Sequence, residues 1–374
     1  MRDRQRPFQD WSIFLLAVLL AVPLPGLTQK IEVTTENGVA VIRNPISAVP
    51  PPGGPSQLIL REDLVIGKEA TAAGYLFAEL RSIGVDDEGY IWTLDWEDIK
   101  VKVFDKTGKL ISTFGKKGQG PKEIENPSRM VVTPDGTAAI VDLNKLSFWS
   151  RDGRCLREVS TAKTRPARLR IDSHGFIYGD SFDLGEKWTM KVYRYDPDMN
   201  RLATVAAYEE PFQMGSLKAF TPLILFHVMR DDRLVWLATP RYEFHVVDDE
   251  GKSVKRIFKD YKRLKISASD RERILKERWG SRASQIKIVF PDEYPPLDLF
   301  IGDDADRLYV RTYEEDGHGG LWYDVFDAEG RCFTRFALLK EEMAFVVRKN
   351  KLYALILENE EGLPLVKRYA MTWK

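Results

Sequence analysis

At 374 residues the chain exceeds an average single domain, and a 44 % hydrophobic content is enough for a sizeable core. Its 56 basic and 56 acidic side chains cancel, which excludes the one-sided field that draws a protein to nucleic acid or an anionic membrane. Four scattered histidines without paired ligand spacing argue against zinc, and no nucleophile-elbow, Walker or dinucleotide fingerprint is present.

The first segment, residues 1–29, reads as a signal peptide. Arg2, Arg4 and Arg6 precede an apolar run from Ile13 to Val22 that Pro23, Pro25 and Gly26 break. The run is shorter than the roughly 20 residues a membrane span needs. A secretory signal ending near Gly26 or Thr28 is therefore favoured over a retained anchor. The mature protein is expected in the periplasm or outside the cell, with no stable membrane span. Residues 30–56 follow as a hairpin around Glu36-Asn37-Gly38 and a stiff linker containing Pro50-Pro51-Pro52-Gly53-Gly54. Gln57–Gly67, "QLILREDLVIG", reads as a single strand.

From Ser82 a pattern repeats: an apolar strand, an acidic-Gly turn, an aromatic-rich strand, then a third strand and a second tight turn. The clearest copy is "SIGVDDEGYIWTLDWEDIKVKVFDKTGKLISTF", with turns at Asp86–Gly89 and Asp105–Gly108. Further copies carry Thr133–Gly136, Asp172–Gly175, Arg230–Asp232, Asp303–Asp306 and Arg348–Asn350 as first turns. The period is roughly 40–50 residues, the length of four short strands and hence of one propeller blade. Six copies predict a six-bladed, all-β propeller over residues 57–374. The sixth copy lacks a fourth strand, and Gln57–Gly67 is expected to supply it and seal the ring, removing exposed edges.

Between blades four and five, Ser269-Asp270-Arg271-Glu272 reads as a capping box opening a helix that Gly280 stops. Its Leu275 and Trp279 are expected to dock on the propeller. Cys155 and Cys332 fall at equivalent positions of opposite blades, so two free thiols are predicted.

The stretches "IGVDDEGYIWTLDWEDIKVKVFDKTGKLISTFGKKGQGPKEIENPSRMVV" and "PPLDLFIGDDADRLYV" resemble the NHL-like six-bladed β-propeller proteins of bacteria, many of them exported. The resemblance covers Leu58 to Lys374. It implies a family with ligand-binding and scaffold members, related to lactonase-type hydrolases with a calcium in the channel and to amidating-lyase rings. A shared fold does not choose among these.

Two places are candidate ligand sites. In the loop Gly115–Pro121, glycine N–H groups with Lys116 and Lys117 suit an anion, although the same glycines serve as an inter-blade connector, which the resemblance favours. At the channel mouth, Arg81, Arg129 and Arg168 begin the first strand of blades one to three, and Arg170 shares a strand face with Arg168. Asp298 and Glu342 fall at the matching place in blades five and six, with Ile224 and Leu225 in blade four. The rim is therefore basic on one side and acidic on the other. The basic side suits a carboxylate or sulfate, set against mutual neutralisation around a wet channel, which is favoured.

Asp95 and Asp142 read as backbone caps. The helix is either a lid or a docked decoration. Most tryptophans, Trp92 and Trp149 among them, read as blade packing. Glu123 and Asn126 are the residues a calcium site would draw on. The expected function is an exported, monomeric binding or scaffolding propeller that recognises a peptide, glycan or protein partner on one face, with no catalytic residue, metal or cofactor. A calcium-assisted hydrolase or lyase is the alternative, and calcium is implied only there.

Overall fold

Aspartate-led turns build the ring. Asp86 Oδ1 accepts the backbone N–H groups of Glu88 and Tyr90 at 3.0 and 2.9 Å, and Gly89 at φ +88° closes the turn. The same pair of bonds recurs at Asp105, Asp172, Asp196, Asp248 and Asp303. Where glycine is lacking, Asp232, Asp306 and Met199 take the left-handed conformation instead. These turns reverse the chain after each short apolar strand, and the result is six four-stranded antiparallel modules around one axis.

The structure, a computed structural model, describes residues 30–68, 74–184, 187–211, 215–359 and 361–374; the signal segment expected at 1–29 lies outside them. The inner strands are Leu80–Val85, Arg129–Val132, Leu169–Ile171, Ile224–Val228, Leu299–Gly302 and Glu342–Arg348. Each touches the next around the circle, and the sixth returns to the first. The core lies between blades. Trp92, Phe104, Tyr195, Phe244, Tyr309 and Phe326 are fully buried there; each such ring contributes roughly 1.5–3 kcal/mol through burial.

The sixth blade closes as expected. Strand Leu58–Ile66 pairs antiparallel with Leu365–Trp373, from Leu58 opposite Trp373 to Ile66 opposite Val366. The N-terminal hairpin differs from the expectation. Strands Glu32–Glu36 and Val39–Asn44 do not stand outside the repeat. Val39–Asn44 pairs in parallel with the outer strand of blade four, Ser253–Lys259, making that sheet six-stranded. Asn44 then donates to the Phe258 and Gly330 carbonyls and accepts from the Cys332 N–H. The linker crosses blade five, where Val49 N–H bonds the Cys332 carbonyl at 2.9 Å and Thr334 Oγ1 bonds the Ser56 carbonyl at 2.8 Å. A parallel partner on another blade is invisible to local hairpin chemistry.

Helix Ala268–Trp279 sits between blades four and five and ends at Gly280. Its cap is Ser267 with Asp270, not Ser269 with Glu272. Ser267 Oγ accepts from Asp270 N–H, and Asp270 accepts from Ser267 N–H. Both pairs share the same three-residue spacing, so pattern alone does not separate them. Docking runs through buried Ile274 and through Arg278, whose guanidinium lies over Phe220 and bonds the Ala219 carbonyl at 2.8 Å. Leu275 and Trp279 are only half-buried. Both cysteines are free, Cys332 buried and Cys155 half-buried.

Candidate functional site

The inner strands enclose an axial cavity of about 520 Å³, to which every blade contributes: Val85, Arg129, Arg170, His227, Gly302 and Arg348 in ring order. Side chains alternate along a strand, so one face of each inner strand points at the axis. The four arginines expected at the rim part company here.

Arg81 turns away from the axis. The pairing register shifts between Leu80 and Ser82, and the Arg81 guanidinium lies 4.1 Å over the Trp96 ring while bonding Glu79 at 2.8 and 2.6 Å. Arg168 is held by Asp180, with Nε 2.8 Å and Nη2 2.7 Å from Asp180 Oδ2. Arg129 and Arg170 line the cavity, and among the described residues neither has an ion-paired carboxylate. Arg170 donates one bond, to its neighbour's carbonyl at Leu169, at 2.9 Å.

The electrostatics follow. Burial pushes Arg129 down from the usual arginine range, the like charge of Arg168 adds to this, and Asp180 opposes it. Burial, then the charges of Arg129 and Arg168, push Arg170 down to about 9. Both remain cationic at neutral pH. His227, on the inner strand of blade four, is pushed down to about 3 by burial and then by Arg170 and Arg348, so its imidazole is neutral. Its ring rests over Gly302, where an added Cβ would stand 2.3 Å from it. Gly302 is glycine because the inner strand of blade four approaches so closely.

The acidic side of the expected rim is internally neutralised. Asp298 faces Arg311 at 3.6 Å and accepts from the Tyr313 hydroxyl at 3.3 Å. Buried Glu342 pairs with Lys367 at 2.6 Å. Arg348 is paired with Asp87 at 2.8 Å. Among the described residues, the cavity's arginines without an ion-paired carboxylate are therefore Arg129, Arg170 and the exposed Arg230, and Asp172, Asp232, Asp303 and Asp304 line the same cavity.

In the Gly115–Pro121 loop the glycine cradle exists and is already filled. Glu123 Oε2 accepts the Gly120 N–H at 3.0 Å, and Lys116 Nζ lies 2.6 Å from Glu123 Oε1. A Cβ on Gly118 would stand 2.0 Å from Glu123 Oε2. Lys117 is exposed. Lys116 first, and then the Gly120 N–H, hold the Glu123 carboxyl below its ordinary range.

Asp95 and Asp142 cap the incoming loops: Asp95 accepts from Ala78 and Glu79, and Asp142 from Glu125 and Asn126. Asp180 does the same for Arg168 N–H at 2.7 Å. It stands five residues after its turn glycine rather than six, which hid it from the spacing argument. Asn126, a residue a calcium site would need, accepts from Trp96 Nε1 at 2.9 Å. Trp92 and Trp149 are buried between blades.

Among the described residues, Asp172, His174 and Asp232 bring three metal-ligand atoms within 4.8 Å of one another on the turn face. Their oxygens already serve the turns. Asp172 holds its own turn, and Asp232 accepts from Ser173 N–H and Oγ at 2.8 and 2.6 Å, stitching blade four to blade three. No helix among the described residues is long and apolar enough to cross a membrane.

Residues 70–259, just over half of the chain, match a family model described as DUF5128, 6-bladed beta-propeller. Solved structures are similar at low identity. A Bacteroides fragilis protein described as exported is 12 % identical, with 89 % of this chain and 99 % of that chain covered and a TM-score of 0.56. A member of the DUF4221 family from Bacteroides vulgatus is 11 % identical, with 85 % and 99 % covered and a TM-score of 0.53. No curated protein matches the chain.

Proposed function

The chain belongs to this DUF5128 family of six-bladed β-propellers, and on that footing we propose that it is an exported binding module that takes an anionic group of its partner into the axial channel. The observation that carries the reading is the pair Arg129 and Arg170, two guanidiniums lining a cavity of about 520 Å³, neither ion-paired with a carboxylate among the described residues. Buried charges are normally paired, because desolvating an uncompensated ion is expensive. Guanidiniums left open to a cavity are the natural partners of carboxylate, sulfate or phosphate oxygens. The partner is a peptide, glycan or protein bearing such a group, docked on one propeller face, and the propeller acts as a monomer. Export is supported by the basic head and apolar run of residues 1–29 and by the description of the Bacteroides fragilis protein. Kinship with the NHL-like propellers is supported by the Gly115–Pro121 connector following the first repeat.

A calcium-assisted hydrolase or lyase would need carboxylate and amide oxygens free to converge on the axis. Glu123 and Asn126 face Lys116 and Trp96 instead. The binding reading is tested on arrays of sulfated and uronate glycans and acidic peptides. Binding to acidic members, competed by inorganic sulfate and lost in the Arg129→Gln/Arg170→Gln double variant, is expected. Ligand binding undiminished by that double substitution would contradict it.

A further inference from the structure

Basic and acidic groups share one seam of the axial cavity, at different depths. Arg170 lies on the inner strand of blade three, and Asp172 follows it two positions later; both line the cavity, about 7 Å apart along the backbone. Arg170 leans toward blade four. Its guanidinium carbon is 6.0 Å from the centre of the Phe226 ring, and its Nη1 bonds the Leu169 carbonyl at 2.9 Å. Arg129 lines the cavity from the inner strand of blade two, which touches that of blade three. Nearer the turn face the seam is acidic. Asp172, Asp232 and the exposed His174 bring polar atoms within 4.8 Å of one another where the turns of blades three and four meet. Turn N–H groups and the Ser173 hydroxyl bond the two carboxylates, and His174 Nδ1 stands 3.0 Å from Asp232. Among the described residues no lysine or arginine is ion-paired with either. Burial raises the Asp172 carboxyl from its ordinary value, the turn N–H groups oppose this, and the charge of Asp232 adds to it. The cavity's other charges differ. Asp87 pairs with Arg348 at 2.8 Å and Asp303 with Arg307 at 2.9 Å. Asp304 accepts the Lys349 N–H at 3.0 Å, and Arg230 is exposed, where water and salt screen it.

We infer that the group the channel takes is zwitterionic: its anionic end sits on Arg129 and Arg170, and an ammonium several bonds away reaches the carboxylates of Asp172 and Asp232 at the mouth. The inference rests on the reading of the channel as an anion site and adds a cationic contact to it. A simple anion would pass two like-charged carboxylates on its way in and leave them without a counter-charge. A simple cation would leave Arg170 in the same position. Burial without a counter-charge is the costly arrangement at either end, and a ligand carrying both charges relieves both, while either charge alone meets repulsion at one of them. The ligand class is an amino carboxylate whose charges stand roughly as far apart as the two strand positions, about 7 Å.

The test is calorimetry on the full chain with 6-aminohexanoate, which carries both charges on one straight chain, and with hexanoate and hexylamine, which carry one each, at equal ionic strength and pH 7. The zwitterion is expected to bind about tenfold or more tightly than either analogue. Asp232→Asn keeps an acceptor for Ser173 and suits the left-handed conformation at that position, so it removes the charge and keeps the turn. In this variant 6-aminohexanoate should fall to the affinity of hexanoate, whereas Asp248→Asn, in an outer turn away from the cavity, should keep the preference. Hexanoate binding as tightly as 6-aminohexanoate in the unsubstituted chain would overturn the inference while leaving the anion site standing. Hexylamine binding as tightly as 6-aminohexanoate, or no binding of any of the three, would overturn both. The unsubstituted comparison decides the matter even if a variant fails to fold.

Discussion

The Gly115–Pro121 loop and the axial channel are both built to hold an anion, and they differ in who supplies it. In the loop, Glu123 of the same chain fills the glycine cradle and neutralises Lys116. In the channel, Asp180 pairs with Arg168, while among the described residues Arg129 and Arg170 have no ion-paired carboxylate and Arg170 bonds only the Leu169 carbonyl. Donor groups and basic side chains are common to both places. What separates a connector from a binding site is whether the basic groups are already ion-paired within the chain, because a paired set gains little from a ligand and an unpaired, half-buried one gains more.

The sharpest way to break this contrast is to empty the channel of its charge. Arg129→Gln/Arg170→Gln should lower anion affinity roughly 100-fold. The same variant should melt higher than the parent in the absence of ligand. Arg170, its native pKa pushed down from the ordinary arginine range to about 9, is a charge the unfolded chain carries more easily. The parent should therefore gain stability as pH rises above about 9, and the double variant should lose that gain. Thermal melts across this range check both points.

The loop can be pushed the other way. Glu123→Gln removes the internal anion, so sulfate should acquire a second, weaker site, seen as a stoichiometry rising from one to two in calorimetry. A stoichiometry that stays at one would show that the cradle is only a connector.

Smaller effects concern the wall of the channel. Gly302→Ala places a methyl against the His227 ring, where 2.3 Å is far too close. Forcing the ring aside should cost about 1–3 kcal/mol in chemical denaturation and weaken sulfate binding several-fold. The mildest expectation is a pH dependence. His227 stays neutral in the folded chain down to about pH 3, while the unfolded chain takes up a proton below about 6.5. Folded-state stability contributed by the neutral ring is thus full above 6.5 and is lost as pH falls toward 3. His227→Gln should flatten that acid limb in urea titrations.

Much of this architecture was legible before any coordinates. Aspartate and glycine at recurring turn positions announce blades, because the turn bonds are local. The strand Leu58–Ile66 was legible from an unpaired edge at the other end of the chain. The parallel seat of Val39–Asn44 on blade four was not, since no local pattern encodes a partner more than two hundred residues away. The site was half legible. Equivalent strand positions placed Arg129 at the channel mouth, and the alternation of side chains from Arg168 added Arg170. Yet Arg81 and Arg168 look the same in the sequence, and only the side-chain positions of Glu79 and Asp180 tell them apart. His227 carried no signal at all, because its importance comes from Gly302 and Arg348 on neighbouring blades.

The most direct test of the central claim is a crystal soaked in selenate, a tetrahedral dianion with an anomalous signal. The account predicts an anomalous peak in the axial channel, about 4 Å from guanidinium nitrogens of both Arg129 and Arg170, with the selenate oxygens within hydrogen-bond distance of them. A channel without a peak at full-occupancy soaking concentration, or a peak seated only at the Gly115–Pro121 loop, would contradict it.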